Sequence, residues 1–333
     1  MEKYIPMLHL SVHLLKELAL QGELPDMRRY IEKQIPPYPT PVEFRVSDVD
    51  HVTDESGFEG ILMSEQFEIL MLKHVKPPES ELLWWDLKIN KEEIRLAEKC
   101  YMENNFPIQP EELNEQDPFL EKFTTSPLFQ PEKSRFGNYR FTFPLADLIQ
   151  WYKEQNCGGE EPVLRVYGTI TYKKLIAYAV LIHSPENNED FEDYPLLETS
   201  EWVSYQDGKI IWKAQAICET HWYQFHSGKV QKFNHFEFYV WDQVRFVFHL
   251  PNRKTIKIPR KRLIEALKTC EFDEIILSRY PTSKNKEERF KDAKMKVSEL
   301  KKELEEEGKE EKHQDQEIKD EAKLLIYNNE GSS

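Results

Sequence analysis

Residues 236–250 read FEFYVWDQVRFVFHL, and they are the strongest indication of fold in the chain. The stretch combines aromatic and β-branched residues with no glycine or proline, which is the composition of a strand. Further segments with strand-like composition or alternation lie at 42–46, 139–143, 163–167, 170–182, 208–217 and 221–225. The sequence therefore predicts a sheet-rich core.

Helical patterns are interspersed with these strands. Residues 57–72 predict a helix, or a helix running into a strand, and 145–154 predict another. Residues 90–104 predict a third, because Asn90 as cap and Glu93 three positions later have capping-box spacing. A short helix is expected from Pro259 to about Lys268. Strands and helices in this arrangement predict an α+β domain.

Two changes in composition divide the chain. Helices are predicted at 8–21 and 25–34, and the proline-rich segment 35–41 then stiffens the chain and ends any helix. We therefore expect N-terminal helices and a linker over 1–41 and the α+β core over 42–280. Residues 281–333 are rich in Lys and Glu and predict a charged helical or disordered tail.

The tail carries one short apolar stripe, Val297, Leu300 and Leu304. This length predicts a solvated helix with opposite-charge pairs along its surface. A coiled-coil partner site is the alternative, and it would need a longer seam.

Composition limits the classes of function. The formal net charge of −15 repels phosphates, so nucleic acid is an improbable general partner. Four cysteines without a Cys-x-x-Cys pair indicate a reducing compartment. With no apolar stretch long enough for a membrane span, the sequence predicts a cytoplasmic or nuclear protein. Phosphate-loop, dinucleotide-fold, serine-hydrolase and zinc-protease motifs are also missing from the sequence.

Three short segments resemble ADP-ribosyltransferase-like domains of the PARP type. A strand ends at His51 and Thr53, and GFEGIL at 57–62 begins a helix. In the late segment, Glu237 falls on the catalytic glutamate of the family, before the run FYVWDQV. The middle segment is matched by Phe123, which stands where the family has a tyrosine, and by Tyr139 as a second aromatic residue.

The resemblance implies an α+β core with a mixed or antiparallel sheet and flanking helices. It also implies an NAD-dependent transferase with a protein acceptor. Cleaving the bond between nicotinamide and ribose builds positive charge on the sugar, which the Glu237 carboxylate would stabilise. His51 is the second catalytic residue implied, and it would also bind the cofactor at a ribose hydroxyl. Thr53, Phe123 and Tyr139 would complete the NAD site, the two rings holding nicotinamide. A non-catalytic module that binds a protein partner is the alternative on the same or another α+β fold.

Three other groups of residues are candidates for a site or a contact surface. Cys218, His221 and His226 have spacing that would suit zinc only if a turn separated the first two, so no metal is predicted. The basic residues between Arg253 and Arg262 would suit RNA or an acidic partner, but a solvated turn is favoured because aromatic residues are not interleaved. Burial is expected for the neighbouring Trp84 and Trp85, the alternative being one exposed ring.

Overall fold

The computed structural model describes most of the predicted core and the C-terminal helix. The described residues are 42–69, 79–105, 132–134, 136–170, 175–214, 223–226, 229–232, 241–272 and 286–330. The two predicted N-terminal helices, the proline-rich segment, Phe123 and Glu237 lie outside them.

The described residues form a mixed α+β structure. The strands, in chain order, are β1 (Val42–Val46), β2 (Asp48–Thr53), β3 (Gln66–Phe67), β4 (Leu82–Lys88), β5 (Lys133–Ser134), β6 (Tyr139–Pro144), β7 (Val163–Ile170), β8 (Leu175–His183), β9 (Val203–Gln206), β10 (Lys209–Ala214), β11 (Tyr223–His226), β12 (Lys229–Lys232), β13 (Trp241–His249), β14 (Ile256–Lys257), β15 (Leu267–Thr269) and β16 (Glu271–Phe272). The α-helices are α1 (Glu55–Ser64), α2 (Lys91–Asn105), α3 (Leu145–Asn156), α4 (Arg260–Ala266) and α5 (Lys286–Glu330). Single turns of 3-10 helix occur at Glu79–Glu81, Leu197–Thr199 and Pro251–Arg253, with a longer one at Pro185–Phe191.

A seven-stranded sheet organises the molecule, in the order β15-β6-β2-β4-β13-β8-β7. Neighbouring strands are antiparallel except β13 and β8, which run parallel. The mixed sheet predicted from the sequence is therefore confirmed. The described part of the 236–250 stretch, β13, lies in the interior of this sheet, where Val244, Phe246 and Phe248 are buried.

The two faces of this sheet differ in chemistry. One face carries the main hydrophobic core, and its fully buried side chains include Trp85, Phe141, Phe143, Phe246 and Phe248. Helix α3 covers this face, where Trp151 meets Phe143 and Tyr152 meets Phe248. The opposite face carries charged residues and a smaller apolar cluster of Ala179, Leu181, Phe191 and Val247.

A second sheet completes the main core. Strand β10 pairs with β1 and β9, and Phe44 of β1 packs on Trp212 of β10 with ring centroids 5.5 Å apart. Helix α2 lies against β1. Buried residues of this sheet belong to the same hydrophobic cluster as those of the large sheet.

Local signals explain where two helices begin and end. The Asp54 side chain caps α1 by accepting a hydrogen bond from the Gly57 amide at 2.9 Å. Helix α1 ends at Ser64 because Glu65 adopts a left-handed conformation, with φ of 53°, and β3 follows. Of the two alternatives for 57–72, a helix running into a strand is correct. The predicted capping box of α2 is present, with bonds of 2.7 and 3.0 Å between Asn90 and Glu93.

The helix expected up to Lys268 ends earlier. Helix α4 stops at Ala266, and Leu267–Thr269 pairs with β6 as an edge strand of the large sheet. The difference arises because the partner strand lies more than a hundred residues earlier, where local periodicity carries no information about it.

The charged C-terminal segment forms helix α5, and part of it packs against the core. Ala293 and Val297 are buried in the main hydrophobic cluster, and Leu300 and Leu304 pack against it. The predicted apolar stripe is therefore a docking face rather than part of a fully solvated helix. The division of the chain at residue 281 stays a prediction.

Candidate functional site

His51 lies near the C-terminal end of β2, on the face of the large sheet that carries the main core. In the pairing of β2 with β6 it stands opposite Phe141. Its ring centroid lies 5.2 Å from that of Phe67, edge to face, and 5.2 Å from that of Trp85. The imidazole is half-buried. Aromatic packing therefore fixes the position of the ring.

A hydrogen bond fixes its tautomer. His51 Nδ1 lies 3.1 Å from the carbonyl oxygen of Trp84, and a carbonyl only accepts, so Nδ1 carries the proton. Burial lowers the pKa of His51, although this hydrogen bond and the charge of Asp86 act in the opposite direction. The neutral ring then presents Nε2 as an acceptor, and the part of the chain that the structure describes gives Nε2 no hydrogen-bond partner.

Thr53 ends the same strand and is closely surrounded. It stands opposite Tyr139 in the register of β2 and β6. A methyl group placed on Gly57 would lie 2.0 Å from Thr53 Oγ1, and one placed on Gly137 would lie 2.0 Å from the Thr53 carbonyl oxygen. Two glycines thus allow α1 and the chain before β6 to approach the end of β2.

Tyr139 is brought next to Thr53, but its ring is part of the core. It stacks on Phe58 with centroids 4.1 Å apart and planes 8° apart, and only 3% of the residue is exposed. Burial, with Glu55 nearby, raises the pKa of the Tyr139 hydroxyl to about 12. Phe58 occupies the stacking face that the resemblance would give to nicotinamide.

Phe123 and Glu237 are outside the described residues, and the strand register of this part of the sheet begins at Trp241, the first residue of β13. Asp50, Asp86 and Arg245 stand in one row across β2, β4 and β13. Because β2 and β13 are both antiparallel to β4, they run in the same direction. His51 is one residue past this row and Trp241 is four residues before it, which separates them by roughly 17 Å along the strands. The register therefore does not bring the start of β13 to His51.

The sequence did not reveal the partners that hold His51. Trp84 supplies a backbone carbonyl, a contact that no side-chain pattern encodes. The two tryptophans point to opposite faces, with Trp85 buried and Trp84 half-buried beside Arg245. The sequence favours burial of both tryptophans, and in the structure only Trp85 is fully buried.

The basic residues after β13 have identifiable roles within the domain. The Arg262 guanidinium pairs with Asp147 at 3.1 Å and with Glu265 at 3.2 Å. Arg260 donates to the Leu62 carbonyl, and Lys254 donates to the Asn156 carbonyl. These contacts support the interpretation of the segment as a structural turn and helix start.

The described residues contain no group of three or more His, Cys, Asp or Glu side chains placed to hold a metal ion. Cys218 and His221, which have zinc-like spacing in the sequence, lie outside them. None of the described helices combines the length and apolar character that crossing a membrane requires.

Comparison with protein families, with curated proteins and with solved structures gives no match to this chain.

Proposed function

We propose that this protein is an ADP-ribosyltransferase-like module that binds NAD or another ADP-ribose ligand at the C-terminal end of β2. The observation that carries the proposal is the state of His51. Its position is fixed by Phe67 and Trp85, and its tautomer is fixed by the Trp84 carbonyl. A neutral imidazole of this kind accepts a hydrogen bond from a ribose hydroxyl through Nε2.

Thr53 and Tyr139 support the site in a different way from His51. Thr53 is packed against Gly57, and Tyr139 is stacked on Phe58. In this proposal they shape the edge of the site, and transfer chemistry depends on Glu237, whose carboxylate would stabilise charge on the ribose.

Binding without catalysis, as part of a protein-interaction module, is the second candidate. The specific observation in its favour is that Tyr139 has Phe58 where nicotinamide would stack. The strand register adds to it, since the start of β13 is remote from His51.

Titration calorimetry with the full-length chain tests the proposal. NAD and ADP-ribose are titrated into wild type, His51→Ala and the control His226→Ala, a histidine on β11. We expect His51→Ala to weaken binding about tenfold, the value of one hydrogen bond of about 1.4 kcal/mol. No binding to wild type at millimolar ligand, or equal binding to His51→Ala, would overturn the proposal.

Nicotinamide release separates the two candidates. Release by wild type that is lost in a folded Glu237→Gln variant would assign a transferase. Ligand binding without release, unaffected by Glu237→Gln, would assign the non-catalytic module.

A further inference from the structure

A short segment lies on the face of the large sheet opposite His51, and few buried residues hold it there. We call residues 184–195, which follow β8 and include the 3-10 helix Pro185–Phe191, the strap. Ser184 and Phe191 are its only buried residues. The Phe191 ring packs in the smaller apolar cluster of this face. The strap therefore depends on its polar contacts with the sheet.

Arg165 of β7 ties the strap to the sheet. Its side chain is buried, with only 6% of the residue exposed. One terminal nitrogen donates to Asn188 Oδ1 at 2.7 Å, and the other donates to the Tyr194 carbonyl. The remaining nitrogen, Nε, donates to Nε2 of His183 at 3.0 Å. One guanidinium thus joins two points of the strap to a buried histidine at the end of β8.

The hydrogen bonds of His183 fix its protonation state. Nδ1 lies 2.8 Å from the Ser184 carbonyl oxygen, which only accepts, so Nδ1 carries a proton. Nε2 accepts a hydrogen bond from Arg165 and therefore carries no proton. The imidazole is neutral, and the lone pair on Nε2 is the one place where a further proton can bind.

A proton on Nε2 would break the contact with Arg165. The N–H group of the imidazole would then face the N–H group of the guanidinium, with no acceptor between them. Two positive charges would also lie side by side in a buried place, where they repel more strongly than in water. The guanidinium would have to move, and its bonds to Asn188 and Tyr194 would be lost with it.

A second buried histidine contacts the same part of the strap. The Phe191 ring centroid lies 4.9 Å from that of His183 and 4.8 Å from that of His249. His249 Nε2 lies 3.5 Å from a carboxylate oxygen of Glu81, so a charge on His249 would meet an opposite charge. A charge on His183 would meet a guanidinium instead. His183 is therefore the histidine whose protonation opposes closure of the strap.

Other charges near the two histidines do not remove this difference. Burial lowers the pKa of His183 to about 4, and the nearby cations act in the same direction, whereas the Ser184 hydrogen bond and Asp190 oppose it. Burial also lowers the pKa of His249, and Glu81 opposes this. The titratable and charged groups around the two histidines and Ser184 are Arg165 on β7, Asp190 in the strap, Glu81 before β4, Lys254 after β13, Tyr152 on α3 and Cys157 after it.

We propose that residues 184–195 form a pH-sensitive strap, which Arg165 holds on the sheet and which protonation of His183 releases. The pKa of His183 in the closed form lies below its ordinary value of 6.5. The closed form is therefore fully favoured above pH 6.5 and is progressively disfavoured as pH falls from 6.5 to about 4. Release exposes Phe191 and the apolar cluster beneath it. This inference does not rest on NAD binding, and its test uses no ligand.

Hydrogen exchange of the full-length wild type measures the release. The amides of Tyr194 and Val166 bond the carbonyls of Phe191 and Pro195, so both report on the strap. After correction for intrinsic exchange, we expect their protection to fall by up to about tenfold for each pH unit below 6.5. Amides of the core strand β6 should remain protected at about pH 4.5, because the opening is local. Strap amides with constant protection, or strap and core amides that lose protection together, would overturn the proposal.

Two measurements assign the release to His183. In the wild type, the ring resonances of His183 should titrate over the same pH range as the loss of strap protection. Glutamine is neutral and still offers an acceptor to Arg165, so His183→Gln should keep the strap closed at about pH 4.5. The matched control His249→Gln should open as the wild type does, and melting curves at neutral pH establish that each variant is folded. A ring of His183 that stays neutral while the strap opens, or opening that persists in folded His183→Gln, would refute the mechanism.

Discussion

Thr53 illustrates how single residues shape the edge of the candidate site. Its hydroxyl and its carbonyl each face a glycine, Gly57 on α1 and Gly137 before β6. Neither glycine leaves space for a side chain without displacing Thr53. The end of β2 is therefore positioned by steric fit as well as by hydrogen bonding.

Replacing Gly57 by alanine tests this fit. Alanine normally favours a helix over glycine by about 1 kcal/mol, but here its methyl group would lie 2.0 Å from Thr53 Oγ1. We expect Gly57→Ala to destabilise the protein by roughly 1–3 kcal/mol, as overpacked cores do. Urea denaturation measures the change. The double variant Gly57→Ala/Thr53→Ala should recover part of the loss, and a stabilised single variant would contradict the close fit.

His183 is a second residue whose environment makes a prediction. It is fully buried on the charged face, where Arg165 Nε donates to its Nε2 at 3.0 Å and its Nδ1 bonds the Ser184 carbonyl at 2.8 Å. Burial lowers the pKa of His183 to about 4, with Arg165 and His249 adding to the effect.

Stability should therefore fall with pH below neutrality. The unfolded chain binds a proton near pH 6.5 and the folded protein only near pH 4, so His183 costs stability as pH falls between these values. The expected loss is about 3 kcal/mol of unfolding free energy. Urea titrations at several pH values should show a weaker pH dependence for His183→Gln than for wild type. An identical pH dependence would mean that His183 does not titrate in this way.

Local sequence was enough to predict the end of β2 and the start of α1, because a strand and a helix start follow one another there. A site at His51 and Thr53 stays a prediction. The contact of His51 with the Trp84 carbonyl could not be predicted, because Trp84 lies 33 residues further on and meets His51 only through the pairing of β2 with β4. The stacking of Phe58 on the Tyr139 ring likewise could not be predicted, because it depends on how α1 packs on the sheet.

At the level of whole elements, helix α2 shows how its N-terminal cap and its buried face stabilise a helix. Asn90 and Glu93 bond each other's backbone amides, and Ile94, Ala97 and Tyr101 bury the inner face of the helix. Local sequence was enough to predict this helix because both its cap and its periodicity lie within fifteen residues.

Removing the N-terminal cap of α2 should lower the free energy of unfolding by a measurable amount. We expect Asn90→Ala to lower the unfolding free energy by about 1 kcal/mol, because the Glu93 amide loses its acceptor. Denaturant unfolding provides the measurement, and Glu103→Ala, at the exposed far end of α2, serves as the control. Equal effects of the two substitutions would argue against a stabilising capping box.

Elements defined by distant partners were beyond local prediction. Strand β3 has two residues and exists through its pairing with β14, and β15 exists through β6. Neither is long enough to show a period of its own. Of the longer strands, β6, β7, β8, β10 and β13 were predicted, because alternation or a run of aromatic and β-branched residues marks them, whereas β4 was not.

For the molecule as a whole, helix α5 ties the C-terminal part of the chain to the core. Ala293 and Val297 are buried, and Lys296 pairs with Glu55 at 2.5 Å and with Glu59 at 2.9 Å on α1. The pairs are partly exposed, so burial of the apolar side chains contributes more to docking than these ion pairs do.

A charge placed under α5 should therefore destabilise the entire fold. We expect Val297→Asp to cost about 3 kcal/mol or more, whereas Ser298→Asp, one residue away and exposed, should cost less than about 0.5 kcal/mol. Tryptophan fluorescence follows the core during denaturant unfolding. A core transition unchanged by Val297→Asp would show that α5 folds independently.

The position of β13 has a consequence for how the protein is made. This strand joins β4 to β8, yet it leaves the ribosome long after both of them. Until β13 is synthesised, β4 and β8 each have an unpaired backbone edge. At a synthesis rate of ~5–20 residues per second, this interval lasts roughly ten seconds. Exposed edges of this kind invite pairing with other chains. We expect the nascent chain to need protection by chaperones during that interval, and truncation before residue 241 to yield insoluble protein.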